Sequence, residues 1–443
     1  MLLVLRKTPL IFIYILLLTM VKSAFADTDE QWNLHGQATG IGQGTPAFHS
    51  PYSGPNSLNA NGEIKETFTS TLFIGKRLWQ GGEIYFDPEI SQGGGLSDTV
   101  GVAGFPNGEA TRAGSMESSL LGRSFFDNNV ARLFLRQDFD LSDTYENVES
   151  DQNQLAGKQS TSRITLTFGK MTASDIFDNN QYSHDPRTQF MNWGLWANGA
   201  WDFPANAKGY TEGLAIEYIQ PSYSVRWGGF LEPAMANNEA LEYRFWKALG
   251  QAVEFEKPYS LYTHPGKVRI LGFLNRAHMG DYEEAINSPV VDITQSRQYR
   301  LKYGAGFNIE QELTKDLGSF MRLGWNDGHT ETWAYTEIDQ SLSLGLSLKG
   351  TSWSRPDDVV GLAGLINGLS SEHRRYLEAG GLGFIVGDGK LNYAYEKIAE
   401  LYYDFQLAKS FFLTLDYQFV ADPAYNSDRG PVSVFSARLH CQF

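Results

Sequence analysis

A chain of 443 residues that is 42% hydrophobic, 20% charged and 14% aromatic, with a formal charge of −15 and one cysteine, is neither disordered nor built on disulfides. An acid surplus with no block of Lys or Arg excludes nucleic acid as a partner. Forty-five glycines beside 28 Phe, 22 Tyr and 10 Trp favour aromatic strands joined by turns over helices.

Residues 1–26 read as a secretory signal peptide: Arg6 and Lys7 precede the apolar run Leu10 to Val21, and Ala24-Phe25-Ala26 is a small-residue cleavage pattern. Removal of the leader leaves 417 residues, Asp27 to Phe443, and takes the formal charge from −15 to −18 because Arg6, Lys7 and Lys22 leave with no acid. Past Ala26 the longest apolar run is Val359 to Ile366, too short for a membrane helix. Cys441 has no partner in the chain, so no intrachain disulfide forms.

The early part carries Glu83, Asp87 and Glu89 on one strand and Arg132 and Arg136 on another, each set on one face. Between them Ser91 to Arg112 is glycine-rich, ends in GFPNGEATR, and reads as a loop that folds inward with Glu109 and Arg112. An acidic polar insert, Ser142 to Gln159, follows. Asp175 to Lys208, packed with Trp, Asn and Asp, is the second inward candidate. From about residue 129 onward the pattern is alternation in segments of eight to twelve residues.

The period-2 signal is clean in three places. Leu301, Tyr303, Ala305, Phe307 and Ile309 oppose Lys302, Gly306, Asn308 and Glu310; Leu342, Leu344, Leu346 and Leu348 oppose Ser341, Ser343 and Ser347; Leu413, Leu415, Tyr417 and Phe419 oppose Thr414, Asp416 and Gln418. Ser370 to Ala379 reads as a short helix capped by Ser370, with His373, Arg374 and Arg375 exposed. Alternation alone also fits a soluble sandwich. Tight turns such as Leu407 to Ser410 alternate with long loops such as 368–389 and 422–430, as in an outer-membrane barrel. Trp325, Trp333, Tyr402, Tyr403, Tyr417 and Tyr425 fall at strand ends, where interfacial girdles sit.

The last strand places Phe435, Ala437, Leu439, Cys441 and Phe443 on one face, and the terminal Phe443 fits an assembly signal read by the barrel assembly machinery. The expectation is a single all-β domain, residues 27–443: a transmembrane antiparallel up-and-down β-barrel of about sixteen strands, with inward-folded constriction loops, embedded in outer-membrane lipids. Sixteen strands leave room for an aqueous lumen.

No Gly-x-Ser-x-Gly elbow, His-Glu-x-x-His site or Gly-Lys-Ser/Thr loop occurs, so motif-borne catalysis is not expected. Asp175, Asp178, Asn179, Asn180 and Asp185 match no calcium-loop spacing, and neither metal nor cofactor is expected. The remaining chemistry suits neutral sugars: aromatic faces for pyranose stacking beside charged side chains that fork to hydroxyls. Asp185, Arg187, Trp193, Trp196, Trp201 and Asp202 supply it, with Arg132, Arg136, Glu109 and Arg112 facing them.

The run 169–210, GFPNGEA at 104–110, SSEHRRYLEAGG at 370–381 and the final 416–443 resemble the carbohydrate-selective porin family of Gram-negative outer membranes. The resemblance implies a sixteen-stranded barrel through which sugars diffuse. It matches the family's inward loop at Phe105, Pro106, Asn107, Gly108 and Glu109, and its Trp-rich segment at Asp185, Pro186, Arg187, Asn192, Trp193, Gly199, Trp201 and Asp202. The chain departs from the family in the acidic insert and the high negative charge. A general or cation-preferring porin is the alternative, and monomer and trimer both stay open.

Overall fold

The computed structural model describes residues 29–111 and 129–443. The chain opens with β1 (Trp32–Thr45), β2 (Glu63–Trp79), β3 (Gly82–Gly93) and β4 (Val130–Asp140). A separate two-stranded ribbon follows, made of β5 (Tyr145–Val148) and β6 (Gly157–Ser160). The main sheet resumes with β7 (Arg163–Met171), β8 (Thr211–Gln220), β9 (Tyr223–Phe230), β10 (Leu249–Leu261) and β11 (His264–Ala277). It continues through β12 (Arg300–Glu312), β13 (Leu317–Asn326) and β14 (Gln340–Gly350). β15 (Arg355–Gly368), β16 (Glu396–Ala408), β17 (Phe411–Ala421) and β18 (Val432–Gln442) complete it. Among the described residues, sixteen strands close into one antiparallel barrel, with β1 pairing both β2 and β18.

Closure satisfies the main-chain groups that an open sheet edge would leave bare in lipid. The seam is finished by the last residue: Phe443 and Gly36 exchange main-chain hydrogen bonds of 3.0 and 3.1 Å. The Phe443 ring lies so close that a Cβ on Gly36 would meet Cζ at 2.5 Å, which is why this strand position holds glycine.

Alternation decides which face is which. Leu344, Leu346, Leu362, Leu401, Leu415 and Leu439 are exposed on the outer wall, while Ser341, Ser343, Asn367, Glu400, Asp416 and Arg438 are buried inside. Apolar side chains outside and charged ones within invert the arrangement of a soluble sandwich and match a wall immersed in lipid. Cys441 shares the face of Leu439. Aromatics band both rims: Trp32, Trp79 and Tyr262 at one end, Trp246, Tyr303 and Trp325 at the other. Of the six expected girdle residues, Trp333, Tyr402 and Tyr425 are instead buried inside the barrel, because their loops and strand faces turn inward.

Among the described residues, one end carries the start of β1, the last residue Phe443 and short connections such as 80–81, 221–222, 262–263 and 409–410; the other carries the long loops. By the general pattern of such barrels the first end is periplasmic. Those long loops hold α1 (Trp193–Trp196), α2 (Tyr282–Ile286) and α3 (Ser371–Glu378). Ser370 caps α3 by accepting from the His373 N–H at 3.0 Å. His373 itself is fully buried, against the expectation, because its ring stacks on Tyr282 at 4.3 Å and meets Asp339 at 3.0 Å; Arg374 is half-buried, and Arg375 is exposed as expected.

Candidate functional site

The lumen is crossed by two segments, 94–111 and 172–210, which meet at its centre. The Phe105 carbonyl accepts from the Trp193 N–H at 3.1 Å, the Met191 carbonyl accepts from the Gly108 N–H at 2.9 Å, and the Phe105 and Trp193 rings stack at 5.1 Å. Glycine at 108 is required by this approach, since a Cβ would meet the Trp196 indole Nε1 at 2.3 Å. Asn192 caps α1 through Gly194 N–H at 3.1 Å and donates to the Gly104 carbonyl at 2.7 Å, so one residue starts the helix and ties the two segments.

Wall side chains hold the second segment all round the barrel. Glu400 accepts from the N–H groups of Met191 and Asn192 at 2.6 and 3.0 Å. Arg438 donates to the carbonyls of Pro186 and Gln189 at 2.8 and 2.7 Å. Arg322 binds Asp178 at 3.1 Å and donates to the Ser183 and Leu195 carbonyls. A buried polar backbone in a lumen must be paired, and here strand side chains do the pairing.

Charges at this neck are compensated locally. Arg187 lies 3.0 Å from Glu109 and 3.1 Å from Glu89, where Thr69, Thr71 and Tyr210 also donate to the two carboxylates. Arg132 forks onto Asp175 with two contacts of 2.6 Å. Burial alone would raise the Asp175 carboxyl; the Arg132 guanidinium overrides it and holds the group below the usual carboxylate range. Further round the wall Arg226 meets Glu217 and Glu254 at 2.9 Å, and Arg269 meets Glu256 at 2.6 Å and Glu310 at 3.1 Å.

Three neighbouring cavities, which share the lining residues Asp175, Gln181 and Arg187 pairwise, lie about this neck. One, of about 400 Å³, is lined by Arg132, Arg136, Asp185, Arg187 and Trp196. A second, of about 380 Å³, faces Asp175, Arg226, Glu256, Arg269 and Glu310, and the third, of about 300 Å³, faces Arg187, Tyr182, Tyr402 and His440. Of the residues singled out from the sequence, five therefore gather around one cavity, and Glu109 stands behind Arg187 as its partner.

Trp193 and Trp201 sit elsewhere. They are 2% and 1% exposed, and their rings pack against Phe105, Phe203, Phe177 and Tyr335 in the core of the folded segment, with no face on any of the three cavities. Asp202 is also a structural anchor in this geometry: it accepts from the N–H groups of Trp333, Ala334 and Tyr335 at 2.6, 2.9 and 3.0 Å. Burial pushes its carboxyl up, and Lys302 and the three donors only partly offset this. Arg112 and the leader lie outside the described residues.

Sequence reasoning missed Arg226, Arg269, Arg322, Arg438, Glu254, Glu256, Glu310 and Glu400. Each is the charged member of an alternating strand, so the signal existed, but nothing local says which group on the neighbouring strands or the inward segment it meets.

A closed sixteen-stranded barrel with a lipid-compatible wall, a polar lumen and a neck of inward segments defines an outer-membrane diffusion channel. A family model, carbohydrate-selective porin, OprB family, matches residues 56–443. The chain belongs to that family and is a carbohydrate-selective porin of the Gram-negative outer membrane. The fold is similar to the high-pH structure of OprB from Pseudomonas putida, at TM-score 0.68 and 16% identity over 93% of this chain and 94% of that one. It is less similar to the outer-membrane channel DcaP of Acinetobacter baumannii, at TM-score 0.51 and 10% identity over 96% of this chain and 100% of that one. No curated protein matches the chain.

Proposed function

We propose that this porin passes neutral mono- and oligosaccharides down their gradient, without catalysis, through weak contacts at the neck formed by Glu109, Arg132, Arg136, Asp185, Arg187 and Trp196. One observation carries the reading. Five lumenal arginines, Arg132, Arg187, Arg226, Arg269 and Arg322, each have a carboxylate within 2.6 to 3.1 Å. Eight carboxylates face these five guanidiniums, so every arginine is neutralised and an acid surplus remains, while fixed donors and acceptors line the path; that suits hydroxyl-rich solutes better than anions. Weak contacts are what flux requires, since a tight site would hold the solute.

In the same reading residues 1–26 are removed on export. Phe443 is the assembly signal, a role supported by its place at the closing seam against Gly36.

Planar-bilayer recording tests the proposal. Sugar added to one side lowers the current in a concentration-dependent way, a salt gradient gives a small reversal potential, and Trp196→Ala weakens the sugar block more than the ionic conductance. Strong cation preference with no sugar block would favour the general porin, and turnover of a glycan or lipid would overturn the non-catalytic reading.

A further inference from the structure

The connection 141–162 is out of place for its end of the barrel. It joins the periplasmic ends of β4 and β7, where the other connections are tight turns, and it carries the β5–β6 ribbon. Its tip is a closed turn in which Asp151 and Gln154 exchange main-chain hydrogen bonds of 3.0 and 3.1 Å, with Asn153 at φ 56°, a left-handed position that asparagine tolerates.

That tip does not hang in the periplasm. Asn153 Nδ2 donates to Asp87 at 2.9 Å, and Asp87 lies five residues along β3 from its periplasmic start at Gly82, about 16 Å up the strand. Asn33 donates to the Gln154 carbonyl at 2.8 Å, His35 and Asn33 reach the Ser150 hydroxyl at 3.0 and 3.1 Å, and the Tyr85 hydroxyl accepts from the Leu155 N–H at 3.2 Å. The strap is thus fastened to the lumenal faces of β1, β3 and β4.

With the strap in place, the 400 Å³ cavity becomes a chamber. Gln152, Asn153 and Gln154 line it together with Phe73, Phe134 and Trp196 as aromatic surfaces. Arg136 enters it with no ion pair among the described residues: its guanidinium stacks over Tyr85 and Phe134 at 5.1 and 5.3 Å and donates to the Asn153 carbonyl at 2.9 Å. Aromatic faces, amides and one guanidinium without an ion pair among the described residues, in a volume within the range of small-molecule sites, are the equipment for a polyhydroxylated ring.

We infer that the 141–162 strap completes the sugar site at the neck: it closes the 400 Å³ cavity from the periplasmic side, and its Gln152–Gln154 amides join Arg136 in binding a neutral pyranoside before release. The inference rests on the sugar-porin reading above and deepens it by giving half of that site to a periplasmic connection.

The test uses the full-length refolded protein in planar bilayers, with glucose, maltose and maltotriose as probes added to either side. Replacing 142–161 by a two-residue Asn-Gly turn raises single-channel conductance roughly twofold. It also weakens sugar block from the periplasmic side about tenfold, the size of one hydrogen bond to a charged group. Asn153→Gly with Gln152→Ala, which keeps the left-handed turn and the ribbon, weakens periplasmic-side block with conductance nearly unchanged. If the wild-type channel is blocked by sugar but both strap variants match it, the strap's part in the site is wrong and the porin reading stands. If the wild-type channel shows no sugar block from either side, the reading beneath it fails as well.

Discussion

Arg187→Met removes the charge that joins the two inward segments to the wall. Its guanidinium is 5% exposed, and it lies 3.0 Å from Glu109 and 3.1 Å from Glu89, themselves 1% and 5% exposed. At an effective dielectric of about 20, each contact is worth roughly 5 kcal/mol of direct attraction, most of it offset by the cost of burying the charges. Taking away one partner and leaving two carboxylates costs about 3–5 kcal/mol. Part of that loss is softened here because Thr69, Thr71 and Tyr210 go on donating to the acids.

Two readouts follow. The urea midpoint of the heat-modifiable folded band falls, and the reversal potential in a KCl gradient moves toward cations because an uncompensated negative charge now sits at the neck. Adding Glu109→Gln to the variant restores much of both, whereas Arg187→Lys restores little, since an ammonium does not fork onto two carboxylates. An Arg187→Met channel with unaltered stability and ion preference would refute the argument that local charge compensation holds the neck.

Glu232, in the loop between β9 and β10, is fully buried with neither carboxylate oxygen partnered among the described residues, and burial with the nearby Asp202 raises its proton affinity well above normal. The folded protein keeps a proton that the unfolded chain releases above about pH 4.5, so this group's contribution is full below that pH and is lost as pH rises toward the folded value. Glu232→Gln therefore unfolds with wild type at about pH 4 and at higher urea than wild type at about pH 8; equal midpoints at both would remove the buried acid from the account. Trp201→Ala costs about 3–5 kcal/mol of stability, as for a buried indole in a packed core, and changes sugar block only through that loss. A properly folded Trp201→Ala channel with selectively abolished sugar block would return this residue to the sugar path.

The sequence by itself carried the barrel. Leu342, Leu344 and Leu346 against Ser341 and Ser343 is a local, two-residue signal, and in a closed wall it assigns lipid and lumen without reference to any other strand. The inward segments were legible too, because 172–210 is too long and too aromatic for a free loop, and the GFPNG turn carries glycine where backbones meet. What the tertiary structure alone decided is which of these residues face solute.

Trp193, Trp196 and Trp201 look alike along the chain, yet only Trp196 reaches a cavity, because the fold of the segment turns the other two into its own core. Arg322 meets Asp178 across 144 positions and Arg438 meets Pro186 across 252, partnerships that arise only when strand register and closure bring distant residues level. The strap at 141–162 makes the same point. Its polar sequence announces a long connection, but only the lumenal faces of β1, β3 and β4, with Asn33, Asp87 and Arg136 waiting for its amides, draw it inside the barrel.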